Sequence, residues 1–206
     1  MKLILATNNS HKLSEIKDIL GEGFDILSLK DVDINTDIEE NGDTLLENSR
    51  IKATFVASTL EKNNYPYPFI VIADDTGLLV DELNGEPGIY SARYAGGEGH
   101  DSEANMRLLL HKLDGKENRK AHFSTFITYI EKKDAYTTYM KYFEGRIDGT
   151  ILKEKHGTEG FGFDPIFKPD GYDKSFAELG ESIKNNISHR ACAIKELAEY
   201  IKNIQK

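Results

Sequence analysis

The chain has 206 residues, a formal net charge of −9 and one cysteine. That length can bury a real core, in one domain or two small lobes. The acidic balance argues against a nucleic-acid surface, Cys192 alone makes neither an internal disulfide nor a cysteine-based zinc site, and no run approaches the roughly 20 apolar residues of a membrane span.

Hydrophobic residues are 39% and charged residues 30%, as in an ordinary globular protein. The opening MKLILATNNS has an apolar run too short for a signal peptide and no cleavage site after it. With the lone cysteine, this favours the cytoplasm.

Leu3 to Ala6 reads as a short strand. Thr7, Asn8, Asn9, Ser10, His11 and Lys12 come next, and then a helical pattern with Leu13, Ile16, Ile19 and Leu20 on one face, ended by Gly21 and Gly23. A strand, a polar loop and a helix start form a natural anion site, because free N–H groups and the positive dipole end point at the loop. It is not a Walker loop, since the Gly-rich stretch and the Gly-Lys-Ser/Thr ending are missing. Simple helix capping by Asn or Ser is the plainer alternative.

Phe24 to Leu29 is a second strand. Asp31 to Asp43 is an acidic loop holding Glu39 and Glu40. Thr44 and Glu47 make a capping box for a helix running to about Leu60. Asn48 and Lys52 lie four apart on one face of it. After the breaker cluster Asn63 to Pro68 comes the central stretch, FIVIADDTGLLVDELNGEPGIYSARYAG. Phe69 to Ala73 reads as a buried strand running into Asp74, Asp75, Thr76 and Gly77. Carboxylates at the carboxyl end of a central strand are where open α/β sheets place ligands. Alternation sends the two aspartates to opposite sides, so one of them can face a site. A metal or water-activating carboxylate and a solvated Asp-rich turn both fit that pattern. Leu78 to Leu83 reads as a further strand.

Asp101 or Ser102 caps a helix to about Leu113. Ala121 to Ile130 and Ala135 to Phe143 are two strands with a hairpin at Glu131 to Asp134, and Gly145, Gly149 and Gly157 punctuate the next segment. Phe161, Gly162, Phe163 and Asp164 form a loop with two rings and a carboxylate. Ser175 and Glu178 make a second capping box, for a short helix to about Gly180. Ser188 caps the last helix, with Ala191, Ile194, Leu197 and Ile201 inward. His189 and Arg190 fall in its first turn, where cations oppose the helix dipole, which suggests a ligand. Together with Lys184, these groups would suit a triphosphate, a magnesium ion and a flat base.

The motifs LATNNSHKLSEI, EENGDTLLENSRIKA, IADDTGLLVDELNGEPGIYSARYAG, GFGFDPIF and ISHRACA stand in this order along essentially the whole chain. In this the sequence resembles the inosine/xanthosine triphosphate pyrophosphatases, the Ham1-like enzymes. Thr76 stands where that family usually has serine, and Phe163 where tyrosine or tryptophan is common. The resemblance implies an elongated α/β fold, with a long mixed sheet flanked by helices and two lobes around a central cleft, in a single pyrophosphatase domain spanning 1–206 and forming a homodimer. It implies magnesium-dependent cleavage of ITP, dITP and XTP between the α and β phosphates. Thr7 to Lys12 and Lys52 would hold phosphates. Asp75 would ligate magnesium and activate water, with Glu39 as the second ligand ahead of Glu40. Thr76, Phe161 to Asp164, Lys184, His189 and Arg190 would frame the nucleoside. Two other readings stay open, a nucleotide-sensing regulator without turnover and a pyrophosphatase with a different base choice.

Overall fold

The computed structural model describes residues 2–96 and 101–204. Among them the chain forms β1 (Lys2–Leu5), α1 (Ser10–Leu20), β2 (Asp25–Leu27), α2 (Leu45–Lys62), β3 (Phe69–Val80), α3 (Ser102–Lys112), β4 (Lys120–Lys132), β5 (Thr138–Ile151), β6 (Phe167–Pro169), α4 (Phe176–Ile187) and α5 (His189–Ile204). The sheet order is β2-β1-β3-β4-β5-β6. β1 runs parallel to β2 and to β3, while β6 is antiparallel to β5, so the sheet is mixed as expected. The parallel neighbours are joined through α1 and α2, since parallel strands need a crossover. No helix among the described residues is long and apolar enough to cross a membrane.

The chain falls into two compact units. Unit 1 is Met1–Asp75, Phe126–Glu144 and Ala193–Lys206, and unit 2 is Thr76–Thr125 and Gly145–Cys192. β3, β4 and β5 each contribute a segment to both, which is why the sequence shows no linker.

Unit 1 has a core on each side of its strands. Leu3, Leu5, Ile70 and Ile72 pack with Ile16 of α1 and with Ile194, Leu197 and Ile201 of α5. The alternate residues Ile4, Ala6, Val71 and Ala73 pack with Ala53, Val56 and Leu60 of α2. Strands covered on both faces read as continuous apolar runs, which is how LILA and FIVIA stand out in the sequence. Burying each Ile or Leu is worth roughly 1.5–3 kcal/mol. That outweighs the weak helix preference of a segment as short as α1, so packing sets the layers.

Unit 2 has one core, built from Leu78, Val80, Met106, Leu109, Phe123, Phe163, Phe167 and Phe176. Arg119 clamps its edge by donating to the carbonyls of Leu113, Ile151 and Leu152 at 2.9, 2.7 and 2.7 Å.

Four expectations change. The central stretch is one strand of 12 residues through Val80, not two strands around a turn, so Asp74 and Asp75 lie within it. Asp81–Leu83 is a one-turn 3-10 helix instead of strand. Gly145 and Gly149 lie inside β5 rather than breaking it. α4 does not stop at Gly180 but kinks there, with φ 78°, and continues to Ile187. Gly149 is needed for close approach: a Cβ there would run into the Lys168 carbonyl oxygen and meet the Phe167 ring at 2.6 Å. Gly149→Ala is therefore expected to destabilise the fold by about 1–3 kcal/mol, as overpacking does. Urea denaturation would measure this, and an unchanged midpoint would refute it.

Candidate active site

Asp74 and Asp75 are 1% and 6% exposed, which rules out the solvated turn. A buried carboxylate has to be paired, and the pleat decides with what. Asp74 continues the Ile70, Ile72 row towards α1, and its Oδ2 lies 3.1 Å from Lys12 Nζ. Asp75 continues the Val71, Ala73 row towards α2, and its Oδ1 accepts from Lys52 Nζ at 3.1 Å. The opposite facing expected from the sequence is what the strand delivers.

Lys52 also donates to Glu40 Oε1 at 2.6 Å. Of the two glutamates, Glu40 is thus brought to Asp75, while Glu39, the one favoured from the sequence, is exposed. Two residues beyond Glu40, Gly42 is docked on α2. Asn48 Oδ1, on the α2 face it shares with Lys52, accepts from the Gly42 N–H at 2.8 Å. A Cβ on Gly42 would meet Asn48 Oδ1 at 2.8 Å and Glu47 Cβ at 2.7 Å, so the loop needs glycine there. The Thr44 hydroxyl caps Glu47 N–H, and the Glu47 carboxylate reaches one residue past the usual partner, to Asp43 N–H. Gly42 has no sequence signal of its own as a functional position. The four-residue spacing of Asn48 and Lys52 marks the helix face on which it docks.

Burial pushes the Asp75 carboxyl above the usual carboxylate range, and the Lys52 and Lys12 cations hold it back. For Lys52, burial alone would favour loss of the proton, but Asp75, Glu40 and Asp74 together raise its pKa and keep it charged. Asp75 Oδ2 is buried and has no partner among the described residues.

The Thr7 to Lys12 loop lies at the start of α1. Asn9 caps the helix by accepting from Lys12 N–H at 3.1 Å, and Asn9 N–H donates to Thr7 Oγ1 at 3.2 Å. Asn8 donates to Asp37 at 3.1 Å. Ser10 and His11 are exposed. A groove of about 290 Å³ runs beside this loop, with Leu29, Lys30 and Asn35 on its other wall. That is at the lower edge of ligand pockets, roughly 300–1,000 Å³.

The remaining candidates gather in unit 2. Asp164 is buried, and its Oδ2 accepts from Lys184 Nζ at 2.6 Å and from Phe161 N–H at 2.8 Å. Lys184 Nζ lies 4.4 Å from the Phe161 ring centre and the Arg190 guanidinium 5.9 Å from it. Arg190 is 1% exposed and donates from Nη2 to Thr76 Oγ1 at 3.1 Å. The His189 ring stacks on Phe123, with centroids 4.7 Å apart. The two rings of the loop part company. Phe161 is half-buried, whereas Phe163 is 4% exposed inside the unit 2 core, so its ring is not available to stack on a base. Gly162, between them, has φ 66° and turns the loop.

The Ham1 family model matches residues 3–200. A dITP/XTP pyrophosphatase of Christiangramia forsetii is 47% identical, over 98% of this chain and 99% of its own. Among solved structures, the Ham1 protein of Staphylococcus aureus is 38% identical with a TM-score of 0.83, covering 98% of this chain and 99% of its own. A HAM1 protein from Coxiella burnetii is 31% identical with a TM-score of 0.84, again covering 98% and 99%. The chain belongs to the Ham1 family.

The Lys184–Asp164 pair gives a direct test of how the Phe161 loop is held. Both side chains are 3% exposed. Lys184→Met leaves a buried carboxylate without its cation, which typically costs about 3–5 kcal/mol. Adding Asp164→Asn should recover part of that loss in a double-mutant cycle by urea denaturation. Additive losses would mean that the two do not act as a pair.

Proposed function

We propose that this protein hydrolyses the non-canonical purine nucleoside triphosphates ITP, dITP and XTP to the monophosphate and pyrophosphate, with Asp75 as the water-activating carboxylate. The observation that carries the reading is Asp75 itself: buried in mid-strand, bonded through one oxygen to Lys52, and with its other oxygen buried and unpartnered among the described residues. The full-length dITP/XTP pyrophosphatase relative supplies the reaction class.

The family's magnesium fits the residues present. Asp75 Oδ2 lacks a partner among the described residues, Glu40 reaches the same lysine, and magnesium is usually held by one or two carboxylates completed by waters and substrate phosphates. Asp75 and Glu40 would hold it. When bound, it would neutralise charge on the phosphates and on the leaving pyrophosphate.

The chain's own part is a general-base displacement. Asp75 takes a proton from water as the water oxygen bonds to the α-phosphorus, and the bond from that phosphorus to the bridging oxygen breaks. The electron pair leaves on pyrophosphate. A carboxyl whose pKa is raised by burial is a better base than an exposed one. Lys52 stays charged, holds Asp75 in place and offsets phosphate charge. Phosphoryl chemistry needs such positioning and charge compensation more than covalent help. Thr7 to Lys12 would receive the remaining phosphates at the start of α1.

Unit 2 would select the base. Phe161 offers a ring to stack on it, backed by Lys184 and Arg190. Hypoxanthine and xanthine carry an acceptor at ring position 6, where adenine carries a donor. A donor from Arg190 satisfies the first two and leaves the third unpaired, which rejects it.

Two further points belong to this reading. The enzyme would act in the cytoplasm, where nucleotide pools are held. It would pair with a second copy, which exposed Met140 and Tyr142 on one face of β5 support, being 43 and 41% exposed. Sedimentation would show the mass of two chains.

Two variants test the chemistry. Asp75→Asn keeps size and removes the base, so pyrophosphate release from ITP with magnesium should fall by on the order of 10²-fold or more with the fold intact by circular dichroism. Wild-type turnover would remove Asp75 from the mechanism, and no pyrophosphate from the native enzyme on any of the three substrates would favour a sensor. Arg190→Ala should lower kcat/KM for ITP far more than for ATP; an equal fall would make Arg190 a phosphate or structural residue.

A further inference from the structure

The Thr76–Arg190 contact has a third member that lies outside every motif picked out in the sequence. Thr125, on β4, is 0% exposed, and its hydroxyl oxygen is 2.7 Å from Thr76 Oγ1. A guanidinium only donates, so Thr76 Oγ1 serves Arg190 as acceptor. The proton between the two threonines comes from either one. In both polarities, Thr125 pins the Thr76 hydroxyl at the point that Arg190 reaches. A buried hydroxyl keeps a partner, and a β-branched side chain has few rotamers in which to find another. The pair also sits on neighbouring strands of the sheet, which hold a site more tightly than loops do.

Arg190 has the longest side chain of the three and is buried at 1% exposed, so its direction is set by the groups it bonds. Its guanidinium is near the Phe161 ring, and the hydrogen bond to the fixed Thr76 oxygen is a directional restraint on it. We propose that Thr125 is a positioning residue for base selection, acting through the Thr76 hydroxyl to aim Arg190. This rests on the reading of Arg190 as the base-selecting donor.

The test separates hydroxyl from shape. Thr125→Val keeps the branched volume and removes the hydroxyl, and Thr125→Ser keeps the hydroxyl and removes the methyl. With the purified enzyme and magnesium, Thr125→Val is expected to lower kcat/KM for ITP by on the order of ten-fold while leaving ATP nearly unchanged, compressing their ratio. Thr125→Ser is expected to keep the wild-type ratio. A packing role alone would move stability, or both substrates together, and leave the ratio where it was. Should Thr125→Val fail to fold, Thr125→Ala against Thr125→Ser makes the same comparison. In an Arg190→Ala background, Thr125→Val should add nothing to the ratio. If Arg190→Ala compresses the ratio and Thr125→Val does not, this proposal is overturned while base selection by Arg190 stands. If neither variant moves the ratio, base selection by Arg190 falls and the role of Thr125 falls with it.

Discussion

Two consecutive carboxylates inside a strand that is buried on both faces are the constraint from which the rest of unit 1 follows. Neither Asp74 nor Asp75 can reach bulk water, being 1% and 6% exposed. Each therefore needs a cation from its own side, and the pleat leaves no choice of side. α1 must bring Lys12 to one and α2 must bring Lys52 to the other. That fixes the rotation of both helices about their axes, and the apolar stripes of both then have to match it. Ile16 on α1 and Val56 on α2 do match, each fully buried in the cluster on its own side. Such pairs add little net stability over well-packed apolar residues. They persist where chemistry needs a carboxylate out of water.

The charges of this group bear on the proposed chemistry. Asp74, Asp75 and Glu40 meet Lys12 and Lys52, so three negative groups face two positive ones and the formal sum is −1. A nucleoside triphosphate is strongly anionic and would not approach such a group unaided. A divalent cation held at the Asp75 oxygen, as proposed, would reverse the sign. The same arithmetic applies to the whole molecule, whose net charge of −9 gives no long-range attraction for phosphate.

Much of this was legible in the sequence, and the remainder was hidden for identifiable reasons. The apolar runs Leu3 to Ala6 and Phe69 to Ala73, the caps at Thr44, Ser175 and Ser188, and the inward face of the last helix read directly because each is a local pattern. The opposite facing of Asp74 and Asp75 followed from the period of a strand. The continuation of β3 through Asp-Asp-Thr-Gly did not, because those residues mark turns by composition, and only the lysines on the flanking helices make them tolerable in a strand. That Glu40, not Glu39, meets Lys52 is a contact twelve residues apart that no periodicity signals. Phe161 and Phe163 look equivalent in the sequence, and only the unit 2 core distinguishes them. Thr125 was invisible because its partner Thr76 is 49 residues away.

Asp75 and Thr76 are neighbours in one strand and meet different partners. The carboxylate belongs with lysines and a glutamate, the hydroxyl with a threonine and an arginine. A strand is suited to this because successive side chains diverge while the backbone between them is held by its neighbours. On the proposed roles, reaction and recognition would be fixed to one strand without competing for the same groups. It follows that a change of base preference can arise at Thr76, Thr125 or Arg190 without altering the charges around Asp75. In the same way, a change at Lys52 or Glu40 should alter turnover of good and poor substrates together. If the proposed roles hold, selectivity and catalytic power are separable, because adjacent residues of β3 are committed to different partners.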